Sequence, residues 1–391
     1  MGKRANKGIN ARDLLKFIPE DKFASIIDDT SVDYQVKKLY GRSMFYLLLY
    51  GLLESTNASL RGFEQLFNSP KFKLTFKIDW ETNIKYNSLS DRLATINADF
   101  FKQIYELMYQ EFSKYFNKEE GLSYNIVSID STMVAEAANK LKQGMVAKNQ
   151  TGKTSKHIKY TVSLTNLLPS SAEVFTGQSY LNENITIPQI IRNYVDDRKD
   201  NVFVFDRGVK SRKVFDELDG NDILFVTRIT GGTNYDLVKS SEVKPGLTTG
   251  NLTVHKDEIV ILYNKYKKKS NQFRIIQTSD NKGKPLWFLT NLFDESIENI
   301  IAIYKKRWDI EVFFKFIKQQ LSFKHFISTN ENGIKVILYM TMIMAMLILM
   351  YKKANNLGFT DAKRRLYYEL EDFYAAILIE NSGGDPSLVF R

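Results

Sequence analysis

Cysteine is absent from the 391 residues, and histidine occurs three times, at His157, His255 and His325. The first absence excludes disulfides, thiolate zinc sites and cysteine nucleophiles; the second leaves too few imidazoles for a histidine-built metal centre. Any metal must be held by carboxylate oxygens, the donor set that suits Mg²⁺ or Mn²⁺. Proline is sparse, with 7 residues, and neither repeat nor low-complexity tract is visible, so no long linker is expected. The basic N-terminus, MGKRANKGINARDLLKF, lacks the apolar stretch of a secretory leader, and a cytoplasmic protein is expected. The longest apolar run, Val336 to Tyr351, falls short of the roughly 18 to 20 residues that span a bilayer. It is expected as a buried core helix, with no membrane partner.

What is present is ample core material and surplus positive charge. Hydrophobic residues make up 43% of the chain and aromatics 13%, enough for two or three packed units at this length. The 55 Lys and Arg outnumber the 45 Asp and Glu, for a net charge of +10, which favours a polyanionic partner such as nucleic acid.

The texture changes along the chain. Residues 1–120 are expected to be a helical N-terminal domain, with a helix from Ser59 that stops at Asn68-Ser69-Pro70. Ser88-Leu89-Ser90-Asp91 is read as a capping box before Leu93, Ile96, Phe100, Ile104, Leu107 and Met108 at helical spacing. From Tyr124 come β-branched runs, YNIVSID, YTVSLTNLLP and NVFVFD, with a helix after Asp206, so an α/β core begins in residues 121–220. Residues 221–292 carry strand after strand between Gly and Pro turns, which predicts an antiparallel β insertion. Helices resume in the rest of the core, residues 293–353, and in a tail, residues 354–391.

Asp130 and Asp206 each close a buried-looking strand, where open α/β sheets place their ligand-binding groups. A strand-end aspartate is also a common turn former. In IYKKRWDIEVFFKFIKQQL, Tyr304, Arg307, Glu311 and Lys318 fall within an arc of about 60° on one continuous helix at 3.6 residues per turn. Trp308, Ile310, Val312, Phe313, Phe314, Phe316 and Ile317 are expected to bury the rest of that helix. A solvated face with a Glu311–Lys315 pair explains the charges but not why so apolar a helix keeps this stripe. Two strand carboxylates and one helix carboxylate are what two-metal phosphoryl transfer needs.

These residues carry a resemblance. The sequence resembles bacterial insertion-sequence transposases of the IS-four type, whose signature is a Tyr, an Arg three on, a Glu four further and a Lys seven further, as at Tyr304, Arg307, Glu311 and Lys318. Ile129-Asp130-Ser131-Thr132, Asp206-Arg207-Gly208 and Leu289-Thr290-Asn291 are similar to the family's contexts, as are SLRGFEQLF and SLSDRL in the front end. The resemblance implies a ribonuclease-H-like core with a β insertion between the second aspartate and the glutamate. It implies Asp130, Asp206 and Glu311 as ligands of a two-metal Mg²⁺ site, for which Mn²⁺ can substitute. It implies Tyr304, Arg307 and Lys318 as DNA contacts near the cut, terminal inverted repeats and target DNA as partners, and a homodimer in the synaptic complex, nucleoid-associated in a bacterial cytoplasm.

Further DNA contacts are expected at Arg207 and in the basic stretch after the first strand: Lys140, Lys142, Lys148, Lys153, Lys156, His157 and Lys159. That stretch reads either as a loop along the phosphates or as a solvated one. Tyr263, Lys265, Tyr266, Lys267, Lys268, Lys269, Phe273 and Arg274 interleave cations with aromatics, as a phosphate-gripping hairpin or a charged β-turn does. Trp287 or Phe288 suits a base-stacking role, but core packing is the stronger reading. The rivals to a transposase are a metal-dependent nuclease of the same fold without strand transfer, a DNA-binding regulator derived from a transposase, and a membrane protein.

Overall fold

Helix signals and apolar periodicity shape the front of the chain in a computed structural model that describes residues 9–15, 18–54, 58–116, 123–148, 152, 154–194, 200–263 and 269–389. The chain divides into two compact units. One comprises Met1–Tyr115, Val134–Ile158 and Phe314–Arg391; the other comprises Phe116–Met133 and Lys159–Phe313.

The first unit opens with α1 (Ala11–Leu15), α2 (Glu20–Thr30), α3 (Gly41–Glu54), α4 (Leu60–Asn68), α5 (Pro70–Thr75), α6 (Tyr86–Thr95) and α7 (Ala98–Ser113). Ser59 caps α4 by accepting the Gly62 N–H, and Pro70 sits in the first turn of α5, where its missing N–H costs nothing. The expected capping box is corrected: Ser88 to Asp91 lie inside α6, and the next helix starts separately at Asn97, whose side chain accepts the Asp99 N–H. The apolar spacing survives the break, with Leu89, Leu93, Phe100, Ile104 and Met108 all buried.

The sheet follows: β1 (Asn125–Ala137), β2 (Met145–Lys148), β3 (Thr154–Thr165), β4 (Leu168–Phe175), helix α8 (Glu183–Arg192), β5 (Asn201–Phe205), helix α9 (Arg212–Gly220) and β6 (Leu224–Ile229). In the second unit the strand order starts β4, β3, β1, β5, β6, with β1 parallel to β5 and β5 parallel to β6. β5 alternates its faces. Phe203 and Phe205 join the core under α8 and α9, while Val202 and Val204 join a second core on the other face. A strand buried on both sides explains the unbroken apolar run VFVF, Val202 to Phe205.

Strands β7 (Tyr235–Ser241), β8 (Thr248–Thr249), β9 (Leu252–Tyr263), β10 (Lys269–Asp280) and β11 (Pro285–Thr290) extend the same sheet, β11 lying antiparallel against β6. The expected insertion from residue 221 is thus corrected at its start: β6 belongs to the parallel part. Parallel pairing with β5 needs the crossover helix α9, a relation that the run of strand-like residues does not reveal. Lys153 and Lys265 to Lys268, together with the side chains of Lys148 and Lys269, lie outside the described residues. Arg274 corrects the phosphate-gripping reading: it is buried, makes two 2.8 Å contacts to Asp257 and donates to the carbonyls of Leu292 and Phe293.

The chain ends in α10 (Ile297–Lys305), α11 (Trp308–Gln320), α12 (Glu331–Asn355) and α13 (Phe359–Asn381). Among the described residues α12 is long and apolar enough to cross a membrane, but it is buried inside the first unit against α3, α6, α7 and α13. It is a core helix.

Candidate active site

Asp130 and Asp206 are neighbours by register. The parallel ladder of β1 and β5 runs to Ser128 opposite Val204, and each aspartate lies two residues further along its own strand line. Adjacent strands are about 4.8 Å apart, so the two carboxylates stand side by side. Asp206 closes β5 as expected, whereas Asp130 is inside β1, which runs on to Ala137. Asp206 Oδ1 accepts the Gly208 N–H at 2.7 Å, and Asp130 Oδ1 accepts that of Ser131 at 2.7 Å. From β6, Thr227 Oγ1 donates to the carbonyls of Phe205 and Asp206 at 3.0 and 3.1 Å, fixing the strand end.

The helix carrying Glu311 is not continuous with that of Tyr304. Residues 306 and 307 form a turn between α10 and α11, held by bonds three residues back from Lys306 N to Ile303 O and from Arg307 N to Tyr304 O. Ser128 Oγ also donates to the Lys306 carbonyl at 3.0 Å, tying the break to β1. The single polar stripe is therefore corrected: Tyr304 lies on α10, Arg307 in the turn, and Glu311 and Lys318 on α11. Just after the break Trp308 and Val312, expected in the core, lie open to solvent instead, with Trp308 61% exposed.

Arg307 gathers the carboxylates. Its guanidinium pairs with Glu311 and reaches Asp130 Oδ2 at 3.8 Å, while its Cζ lies 5.9 Å from the Tyr304 ring centroid. Burial works to lower the Arg307 pKa, but the bond to Glu311 and the surrounding negative field raise it overall. Asp130 is pushed up to about 6, chiefly by burial, with the Ser131 N–H and Arg307 opposing and the charges of Asp206 and Glu311 adding to the rise. Tyr304, packed against Phe288 at 5.1 Å, is raised mainly by burial.

The remaining expected DNA contacts separate. Arg207 is exposed. With Lys210, Arg212, Arg228 and the Thr230–Thr233 turn it lines a cleft of about 260 Å³ beside the Asp206 loop. Lys156, in the first unit, donates to the carbonyls of Leu141 and Lys142 at 2.7 and 3.1 Å. Lys318, also in that unit, lies 5.9 Å from the Phe314 ring centroid. Lys159 is fully buried, its ammonium 3.5 Å from Glu183 Oε1 rather than facing solvent. Phe288 is buried in one core, and Trp287, half-buried, packs against the other core on the opposite face of the sheet.

Glu183 is the residue that sequence reasoning missed. It sits in the first turn of α8, its carboxyl flanking Gly208 together with that of Asp206, and its pKa is raised, first by burial and then, against the effect of Lys159, by Asp206 and Asp130. Asn182-Glu183-Asn184 marks a helix start and nothing more; only tertiary structure brings it to the aspartates.

All donors at this site are oxygens, which fits a hard divalent cation. Burial first, and then the charges of Asp206 and Glu311, disfavour the charged form of Asp130, and a bound cation would offset both. Among the described residues no group of three or more His, Cys, Asp or Glu is gathered into a cage for a metal, and Arg307 is the cation that Asp130 and Glu311 share.

Fold and site together define a class: an α/β sheet protein with aspartates on neighbouring parallel strands and an arginine that pairs with one of them and with a helix glutamate. The chain belongs to the family described as transposase DDE domain, whose profile matches residues 121–347, more than half its length. A Geobacillus stearothermophilus protein named as a probable transposase for insertion sequence element IS5377 is 24% identical over 252 residues, spanning 64% of this chain and 62% of its own length. A Synechocystis protein named for insertion sequence element IS4SA is 26% identical over 252 residues, spanning 64% of this chain and 66% of its own. The chain thus spans under two thirds of the length of these relatives. The cryo-EM synaptic complex of piggyBac transposase with hairpin DNA is similar over 97% of this chain and 82% of that one, at 8% identity and a TM-score of 0.49. At that distance the likeness carries no further argument.

Proposed function

We propose that this chain is a DNA transposase of the IS-four type, which cuts and joins DNA at the ends of an insertion sequence through Asp130, Asp206 and Glu311. What supports the reading is that strand register sets Asp130 and Asp206 on neighbouring strands and that the Arg307 guanidinium pairs with both Asp130 and Glu311. The strand order β4, β3, β1, β5, β6, with its last two strands added in parallel, supports a ribonuclease-H-like core.

The three carboxylates are the residues that would hold divalent metal, Mg²⁺ with Mn²⁺ as substitute. When bound, the pair of ions supplies activation of the attacking oxygen and stabilisation of the leaving one. The protein's own groups place the DNA. Arg207, Lys210, Arg212 and Arg228 offer their cleft to backbone phosphates, and the buried Nε atoms of Arg228 and Arg307 make no hydrogen bond among the described residues. Tyr304 sets its ring 5.9 Å from the Arg307 Cζ. Lys318 is assigned toward DNA by the family pattern and Lys156 by the basic stretch it belongs to, whereas Lys159, fully buried against Glu183, is no DNA contact. The partners are terminal inverted repeats and target DNA, bound by two copies of the chain in a bacterial cytoplasm.

The test is a gel assay with DNA carrying the inverted repeats that flank the reading frame. Cleavage at the repeat ends is expected only with Mg²⁺ or Mn²⁺, and binding is expected to weaken steeply with salt. Metal-independent cleavage, or none at any repeat end, contradicts the reading.

Gly208→Ala supplies a finer probe. A Cβ there would stand 2.3 Å from Glu183 Oε2 and 2.8 Å from Asp206 Oδ1, so both carboxyls must move. A shift of about 1 Å in a catalytic group costs on the order of 10²-fold, and the cleavage rate is expected to fall by about that factor with the melting temperature little changed. A wild-type rate would mean that Asp206 tolerates displacement and is no ligand.

A further inference from the structure

Lys159 is a costly residue to bury. Its side chain is fully enclosed, and burial lowers its pKa against the pull of Glu183. Its ammonium lies 3.5 Å from Glu183 Oε1 and donates to the Leu181 carbonyl at 3.4 Å, at the start of α8. A buried pair of this kind is weak as a source of stability, because desolvation offsets much of the attraction. Its location suggests another purpose. Glu183 Oε2 and Asp206 Oδ1 lie together against Gly208, whose absent Cβ leaves the room that the two carboxyls occupy. Next to it, Asn184 Oδ1 accepts the N–H groups of Lys210 and Ser211 at 2.7 Å each, so the start of α8 is fastened to the loop that follows Asp206.

We propose that Glu183 and Lys159 are a positioning pair for Asp206: Glu183 orients the aspartate and adds negative charge behind the divalent-metal centre, and Lys159 holds Glu183 in place and balances it. The pair acts through Asp206, as outer partners of metal ligands do when they fix a ligand's orientation. This rests on the reading of Asp206 as a metal ligand.

Mn²⁺ binding to the full-length protein, followed by electron paramagnetic resonance without DNA, separates this role from a structural one. The variants are Glu183→Leu and the double change Lys159→Met with Glu183→Leu, which replaces the ion pair by apolar groups of similar size and leaves no lone buried charge. The melting temperature is expected to fall in the single variant and recover in the double. Mn²⁺ affinity is expected to fall about 10- to 100-fold in both, the usual loss when such a partner is removed. Wild-type Mn²⁺ affinity in a folded double variant overturns the proposal. Asp206→Asn, measured alongside, distinguishes the two levels: if it too binds Mn²⁺ as the wild type does, the assignment of Asp206 has failed, and the positioning pair with it.

Discussion

Asp206→Asn is expected to slow metal-dependent DNA cleavage by about 10² to 10⁴-fold, since a metal centre contributes several kcal/mol at the transition state and each 1.36 kcal/mol is tenfold. The change preserves shape. Its amide still accepts the Gly208 N–H, so the loop after β5 is expected to stay in place and DNA binding to persist. Asp130→Asn and Glu311→Gln are expected to behave alike, because Asp130 neighbours Asp206 by strand register and shares Arg307 with Glu311. Arg307→Ala has a different signature, with the rate falling while the Mg²⁺ concentration for half activity moves little, since a guanidinium places phosphate but holds no cation. Single-turnover cleavage across a Mg²⁺ titration, paired with gel-shift binding, checks the set. A carboxylate variant that cuts at the wild-type rate removes that residue from the centre.

Arg274→Met is expected to destabilise the protein by about 3–5 kcal/mol, the usual cost of leaving one partner of a buried ion pair alone. Asp257 would lose both of its 2.8 Å contacts while remaining buried, and the carbonyls of Leu292 and Phe293 would lose their donor. That cost is a large share of the roughly 5–15 kcal/mol that keeps a domain folded. Urea unfolding is expected to show a lower midpoint, and Asp257→Leu added to Arg274→Met is expected to restore much of it. A single variant as stable as the wild type would show that Arg274 is not the sole neutraliser of Asp257.

Arg274 also illustrates what a sequence conceals. Cations interleaved with aromatics look alike whether they grip phosphate or fasten two strands, and only the pairing of β9 with β10 brings Arg274 to Asp257. The same limit hid the break at Lys306 and Arg307. Local apolar periodicity runs straight through it, whereas the interruption accompanies a hydrogen bond from Ser128, 178 residues away. Trp308 and Val312, one turn apart just after that break, are exposed. Legible features were those with a local cause: the twice-buried run VFVF before Asp206, the caps at Ser59 and Asn68-Ser69-Pro70, and the apolar α12. Asp130 and Asp206 stood out because strand-end position is local, although their adjacency is not. Glu183 gave no signal, since its role exists only once α8 is folded against the Asp206 loop.

The central claim is that the centre of Asp130, Asp206 and Glu311 joins DNA as well as cutting it, and strand transfer tests it most directly. Purified protein is incubated with labelled DNA ending in the flanking inverted repeat, an unlabelled plasmid and Mg²⁺, and the plasmid is then examined for covalently attached label. The account predicts labelled plasmid with the wild type and none with Asp206→Asn or without metal. Cleaved repeat ends with no label ever joined to the plasmid would contradict it, and would make the protein a nuclease.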